Sequence, residues 1–393
     1  MPANYLKGGV YMKAVELKNN IYWVGGIDWD LRNFHGYLTQ RGSTYNAYLI
    51  IDEKIVLIDT VKYYLSGELL KRISSVIDPS KIDYIISNHV EMDHSGSIPD
   101  ICRIAKNAKI VTSANGLKGL KAHYKNDYDY TAVKTGDTLK IGKRELNFIL
   151  TPMVHWPDNM LTYLPQEKIL FSNDAFGQHI ASSERFDFEY NFDIITAEAK
   201  KYYANIVLPY GQQVQSALKA AENLSIDIIA PSHGIIWKNH ISSIISSYQK
   251  WSKNETENKA LVIYDTMWGT TKKIAHAIRE KFERNGIKAD LFNLQFNHIS
   301  DIMTELLTAK YVCVGSPTLN NNILPTTSAF LTYLKGLSPK NRTGLAFGSY
   351  GWGGQSVGII EEQLKLCGFE LLPSIKIQYV PDEKFLDEIE IKL

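Results

Sequence analysis

Ser87-Asn88-His89-Val90-Glu91-Met92-Asp93-His94 places four side chains able to bind metal within six residues. That spacing suits one helix face poorly, because helical neighbours recur at three and four residues. In an extended loop His89, Glu91 and Asp93 fall to one side and His94 turns away. Such a loop can divide its ligands between two adjacent metals.

Three further candidates each follow an apolar run. His155 follows Phe148–Val154, Asp174 follows Ile169–Asn173, and His233 follows Ile228–Ser232, just as His89 follows Tyr84–Ile86. Four buried-looking strands therefore end in metal-ligand residue types, and strand ends that meet at one rim of a sheet core build sites. A lone histidine after a strand is ordinarily a surface or hydrogen-bonded residue, and His123, His179, His240, His276 and His298 are read that way. The dense cluster and its three later partners call for more. Three carboxylates (Glu91, Asp93, Asp174) with four imidazoles suit iron better than a histidine-rich tetrahedral zinc site, although zinc also accepts carboxylates.

The whole chain constrains the setting of these residues. Its 393 residues predict two domains, and 45% hydrophobic content lets each bury a core. With 43 basic and 42 acidic residues the net charge is +1, which gives no global field for nucleic acid or an anionic membrane. Cys102, Cys313 and Cys367 are too scattered for a disulfide framework or an iron–sulfur centre, and Cys313 reads as a buried, inert thiol. No apolar run nears the roughly 18 residues of a membrane span, and the N-terminus lacks a signal-peptide core. The chain is expected to be cytoplasmic, with residues 1–11 an extension without structural role.

Residues 1–250 mix short strands, including an early meander over Ile21–Val24, Ala47–Ile51 and Lys54–Ile58, with helical stretches. The polar run Lys250–Lys259 reads as a linker. From residue 259 to 393 the rhythm is regular. Strands at Ala260–Asp265, Ala289–Leu294, Tyr311–Gly315, Gly344–Ser349 and Leu371–Gln378 alternate with helices, which predicts a doubly wound parallel sheet. After its first strand, Thr266-Met267-Trp268-Gly269-Thr270-Thr271 leads into a helix. Backbone N–H groups, the helix dipole and hydroxyls there make a phosphate cradle. Neither a P-loop nor a G-x-G-x-x-G fingerprint is present, so nucleotide triphosphates and dinucleotides are disfavoured. Two later strands end in Gly315-Ser316-Pro317-Thr318-Leu319-Asn320 and Ser349-Tyr350-Gly351-Trp352-Gly353-Gly354, loops suited to a flat aromatic ligand. One hydroxyl-rich turn alone is usually a helix cap. All three, at the right strands, resemble flavodoxin, which implies bound FMN.

H-x-E-x-D-H, followed by His155, Asp174 and His233 at these separations, resembles the flavodiiron (A-type flavoprotein) family from about residue 12 to the end. The resemblance implies an N-terminal metallo-β-lactamase-like αββα sandwich followed by a flavodoxin-like doubly wound parallel sheet. Zinc hydrolases of the first fold carry H-x-H-x-D-H, and here Glu91 replaces the second histidine. By the family pattern, His89, Glu91, His155 and a bridging Asp174 hold one iron. Asp93, His94, His233 and the same Asp174 hold the other, with His94 not bound in every member.

Phe34-His35-Gly36-Tyr37 and Thr44-Tyr45-Asn46-Ala47-Tyr48 also look like the family. They imply that His35 lines the substrate pocket. Tyr202 or Tyr203 could do likewise, although buried core tyrosine is the favoured reading for either one. The implied enzyme reduces O2 to water, NO to N2O, or both. FMN relays the electrons from an external donor: a rubredoxin, or a flavin or deazaflavin reductase. Family members are head-to-tail homodimers, so a homodimer, or a homotetramer of two such pairs, is expected. Two rivals are a dinuclear zinc hydrolase fused to a flavodoxin and an electron carrier with a degenerate binding domain.

Overall fold

The computed structural model describes residues 12–391, so the extension read over residues 1–11 lies outside the described residues. The chain divides into two compact units. The first takes residues up to Phe34, Thr39–Ala199 and Gln213–Ser246; the second takes His35–Leu38, Lys200–Gln212 and everything from Ser247 on.

The first unit is a sandwich of two sheets. One has seven strands in the spatial order Val15–Lys18, Ile21–Trp23, Tyr48–Ile51, Ile55–Ile58, Tyr84–Ile86, Lys109–Ser113, Tyr130–Val133. The other has five, Thr138–Lys140, Glu145–Leu150, Met160–Leu164, Ile169–Asn173 and Ile228–Pro231. Successive residues of a strand point to opposite faces, and here both faces are buried. Val56, Ile58 and Ile86 join Leu146, Phe148 and Phe171 in the core between the sheets. Leu57 and Ile85 point the other way, into a second core with Leu69, Ile101 and Leu120 from the covering helices. Ile149, Leu161 and Leu170 pack on the outer face of the five-stranded sheet. Helix, sheet, sheet and outer cover make the expected αββα architecture.

In the second unit the parallel sheet runs Lys288–Asn293, Glu257–Tyr264, Ala309–Gly315, Thr343–Tyr350, and then both Glu370–Leu371 and Ile375–Gln378 beside that last strand. In chain order this is 2-1-3-4-5, the flavodoxin-like doubly wound order, whose switch point lies between the first and third strands. Two local readings differ from the observed structure. The run read as one strand over Leu371–Gln378 breaks at Leu372-Pro373-Ser374, where proline has no N–H for a ladder. The stretch read as a linker over Lys250–Lys259 is largely structured. A helix continues through Ser252 and a strand starts at Glu257. Trp251 is buried there against Tyr203 and Tyr248, and Lys259 pairs with Glu305 and Asp290.

Candidate metal centre and flavin cleft

The strand Tyr84–Ile86 delivers the ligand loop, and buried polar groups fix its path. Asp59, in the left-handed region at φ +53°, accepts hydrogen bonds from Asn88 N (2.8 Å) and Asn88 Nδ2 (3.0 Å). Asn88 Oδ1 in turn accepts from Thr162 Oγ1 of the opposite sheet at 2.7 Å. The loop then winds into a single helical turn, Met92–Ser95, instead of staying extended. This corrects the expected direction of His94. The turn swings its ring inward, and His94 Nε2 lies 3.0 Å from Asp174 Oδ1 and 3.3 Å from Asp93 Oδ1.

All seven predicted side chains converge in the first unit, in two groups. His89, Glu91, His155 and Asp174 offer ligand atoms within 4.8 Å of one another, as do Asp93, His94 and His233. Asp174 joins the groups through its two oxygens. Oδ2 lies 3.2 Å from His155 Nε2 and 3.7 Å from His89 Nε2, while Oδ1 lies 3.0 Å from His94 Nε2 and 3.2 Å from His233 Nε2. Glu91 Oε2 is 3.3 Å from His89 Nε2 and 3.4 Å from His155 Nε2, and Asp93 Oδ2 is 3.4 Å from His233 Nε2.

The imidazoles are aimed by their other nitrogens. Asp158 Oδ2 accepts from His89 Nδ1 at 2.9 Å and from Val90 N at 2.8 Å. The Thr44 carbonyl, which can only accept, lies 2.8 Å from His233 Nδ1, so that nitrogen keeps a proton and Nε2 is the atom left to bind a metal. Asp158 carried no sequence signal beyond its polar type, and Thr44, although it opens a run that looks like the family, acts through its backbone carbonyl. His179 carried no such signal either; it is fully buried, bonded to Ser43 Oγ at 2.7 Å, with its ring centroid 4.9 Å from that of His233.

The polar accounting favours a bound cation. Both oxygens of Asp93, both oxygens of Asp174 and both ring nitrogens of His94 are buried without a hydrogen bond of normal geometry. Buried groups of this kind are costly unless something else satisfies them. Burial would lower the histidines, yet Asp174 and Glu91 push His155 up to about 9, and Asp174 and Asp93 push His233 up to about 10. Burial would raise Asp174, yet His94, His155 and His233 hold it well below the usual carboxylate range. A site that binds protons this tightly attracts positive charge generally, and oxygen and nitrogen donors from three carboxylates and four imidazoles fit two divalent ions.

The second unit carries a different kind of site. A cleft of about 640 Å³ is lined by Thr266, Met267, Trp268 and Thr270 of the first loop, Pro317, Thr318 and Asn320 of the second, and Ser349–Gly353 of the third. Asn321, Tyr379 and Val380 also line it and were not anticipated. The other predicted loop residues support these walls. Thr271 Oγ1 bonds Ser349 Oγ at 3.2 Å, and Ser316 Oγ accepts from Leu324 N at 3.0 Å. Leu319 pairs with Asn322, while Gly269 (φ +85°) and Gly354 (φ +91°) supply the left-handed turns that open the helices Thr270–Arg284 and Gln355–Leu366. Trp268 and Trp352 are 93% and 90% exposed at this cleft, which leaves two large apolar faces for a flat ligand. Cys313 is buried in the strand beneath, where burial raises its thiol far above the usual range, as expected of an inert thiol.

His35 and Tyr202, predicted as pocket residues, belong to the second unit. His35 is exposed in the turn between Asn33–Phe34 and Tyr37–Leu38 at φ +53°. Tyr202 is buried at the end of the helix Phe192–Tyr202, and Tyr203 packs on Tyr248 and Trp251 as a core tyrosine would.

Comparison with known proteins bears on both sites. Residues 44–234 match a family model described as ODP family beta lactamase, and residues 262–390 match flavodoxin. The chain is 46% identical over 376 residues to a nitric oxide reductase of Moorella thermoacetica, covering 94% of each. The solved structure of a rubredoxin oxygen:oxidoreductase from Desulfovibrio gigas superposes with a TM-score of 0.94 at 40% identity, covering 96% of both chains. A flavodiiron protein from Giardia intestinalis also gives 0.94, at 36% identity, covering 97% of this chain and 95% of that one.

Proposed function

Because the chain belongs to the flavodiiron protein family, we propose that His89, Glu91, His155 and Asp174 Oδ2 hold one iron, and that Asp93, His94, His233 and Asp174 Oδ1 hold the second. The protein is an oxidoreductase with FMN and a di-iron centre as cofactors, reducing O2 to water, NO to N2O, or both. When bound, the iron pair and FMN each supply up to two electrons, so one chain can hold the four that O2 requires.

The observation that carries the assignment is the division of Asp174. One buried carboxylate turns one oxygen toward each ligand group, and neither oxygen has a hydrogen bond that would explain its burial. Asp158 and the Thr44 carbonyl keep His89 and His233 with Nε2 toward the site. In the second unit, Thr266–Thr271 would receive the FMN phosphate at the start of the helix Thr270–Arg284. The loops Ser316–Asn320 and Ser349–Gly354 would bracket the ring, with Trp268 and Trp352 as apolar faces. We assign His35 and Tyr202 to the substrate pocket on the family pattern, and place the domains at residues 1–250 and 259–393.

The electron donor is an external protein. Rubredoxin suits the name of the Desulfovibrio gigas relative, and a flavin or deazaflavin reductase would serve the same chemistry. We propose a head-to-tail homodimer, or a homotetramer of two such pairs, working in the cytoplasm. Three scattered thiols without a disulfide support that compartment. Among the described residues no helix is long and apolar enough to cross a membrane, and a net charge of +1 favours no nucleic-acid partner. Stopped-flow oxidation of the fully reduced, iron-loaded protein with O2 and with NO tests the reading. A metal-linked phase with at least one gas is expected, and oxidation of flavin alone by both would overturn it.

A further inference from the structure

One cation stands beside the proposed ligands and has no part in the scheme above. Lys62 is half-buried, and its ammonium lies over three aromatic rings, 4.7 Å from the centroid of Tyr45, 5.1 Å from Phe34 and 5.9 Å from Tyr64. Among the described residues no carboxylate lies within salt-bridge distance of it. Its backbone is fastened to the ligand loop. Thr60 donates to the His94 carbonyl through both N (2.8 Å) and Oγ1 (2.7 Å), and Ser97 Oγ donates to the Val61 carbonyl at 2.9 Å. Tyr45, the nearest ring, packs edge-on against His233 at 5.5 Å between centroids. The side chain is thus seated on the wall of the site and not left to wander in solvent.

A lysine half removed from water over aromatic faces ordinarily finds an anion. Here burial lowers the ammonium's pKa, and the groups that pull it back up are Asp93 first, then Asp28 and Glu91. Two of those three are proposed iron ligands. The same charge reaches His179, whose ring lies 5.0 Å from that of Phe34, and adds to burial and His233 in lowering that imidazole. Asp28, the third, is engaged by the Tyr64 hydroxyl. The field of Lys62 therefore falls on the metal ligands, across an apolar wall that screens it less than water would.

We propose that Lys62 sets the charge balance of the metal centre: its fixed cation opposes the binding of divalent ions at Asp93 and Glu91 and favours the less positively charged, reduced state of the pair. The inference rests on the ligand assignment above. It differs from a structural role for Lys62 in sign. Loss of a packing residue loosens a metal site, whereas loss of an opposing cation tightens it.

The test uses the full chain with FMN, under anaerobic conditions, titrated with Co(II) against a competing chelator. Lys62→Met keeps the stem and removes the charge, Lys62→Gln does so with a polar end suited to a half-exposed position, and Lys62→Arg keeps the charge. Both neutral variants should bind Co(II) about fivefold more tightly than wild type, as expected for one unit charge acting through partly screened protein. Lys62→Arg should match wild type. With iron, the midpoint potential of the pair should fall in the neutral variants and hold in Lys62→Arg. Wild type loading two Co(II) while the neutral variants bind equally or more weakly would overturn this inference alone. Wild type taking up no Co(II) would overturn the ligand assignment, and this inference with it.

Discussion

Asp158 makes two hydrogen bonds with one oxygen, to His89 Nδ1 at 2.9 Å and Val90 N at 2.8 Å, and is 4% exposed. Asp158→Asn preserves shape and removes charge. The amide oxygen in the place of Oδ2 can still accept from both donors, but without the carboxylate's charge. With the amide nitrogen there instead, both donors go unanswered or His89 is forced into the tautomer whose Nε2 carries a proton and cannot bind metal. A hydrogen bond to a charged acceptor contributes about 1.5–3 kcal/mol. At 1.4 kcal/mol per tenfold, this corresponds to roughly 10- to 100-fold in metal affinity. The group containing His89 should bear most of that loss, and the Asp93–His94–His233 group, joined to it through Asp174, a smaller share. Anaerobic competition titration should resolve two steps in wild type, and the variant should weaken one of them more than the other. FMN content serves as the internal control, since no flavin loop belongs to the first unit. Metal affinity within twofold of wild type at both steps would refute the argument that Asp158 aims His89.

Two other expectations follow from the same geometry. In the metal-free protein His155 titrates at about 9 and His233 at about 10, so both hold protons at pH 7 that a metal must displace. Loading with metal at pH 7 should release at least roughly two protons per chain, and affinity should rise with pH up to about 10 as those protons leave. Calorimetry in buffers of different ionisation enthalpy reads this number, and a value near zero would contradict the environments described for these histidines. Trp352→Ala removes one of the exposed apolar faces at the flavin cleft and should weaken FMN binding about tenfold, measured by flavin fluorescence on dilution. Unchanged retention would show that the indole does not contact the ring.

Much of this was legible in the residue order because strands carry their residues to predictable places. Tyr84–Ile86, residues 148–154, Ile169–Asn173 and residues 228–232 read as apolar runs, and a ligand type after each run points to one rim. What could not be read depended on contacts between distant residues. His94 was expected to turn away because periodicity alone does not reveal that Met92–Ser95 winds into a turn, closed by Ser95 N and Oγ donating to the Glu91 carbonyl. Lys259 looked like linker because its ion-pair partners, Asp290 and Glu305, lie more than thirty residues away in sequence. Asp158, His179 and Lys62 are single polar residues in loops, and only the folded chain shows what each of them faces. Tyr379 and Val380 follow the last strand in a stretch with no glycine or hydroxyl signature, so the flavin cleft was read as three loops when four segments line it.

The claim beneath all of this is that one carboxylate, Asp174, joins two metal ions. Iron analysis with Mössbauer spectroscopy on anaerobically reconstituted wild type and Asp174→Asn tests it most directly. The account predicts two antiferromagnetically coupled irons per chain in wild type, and loss of one iron or of the coupling in the variant. A single uncoupled ion in wild type, or a coupled pair that survives Asp174→Asn unchanged, would contradict it.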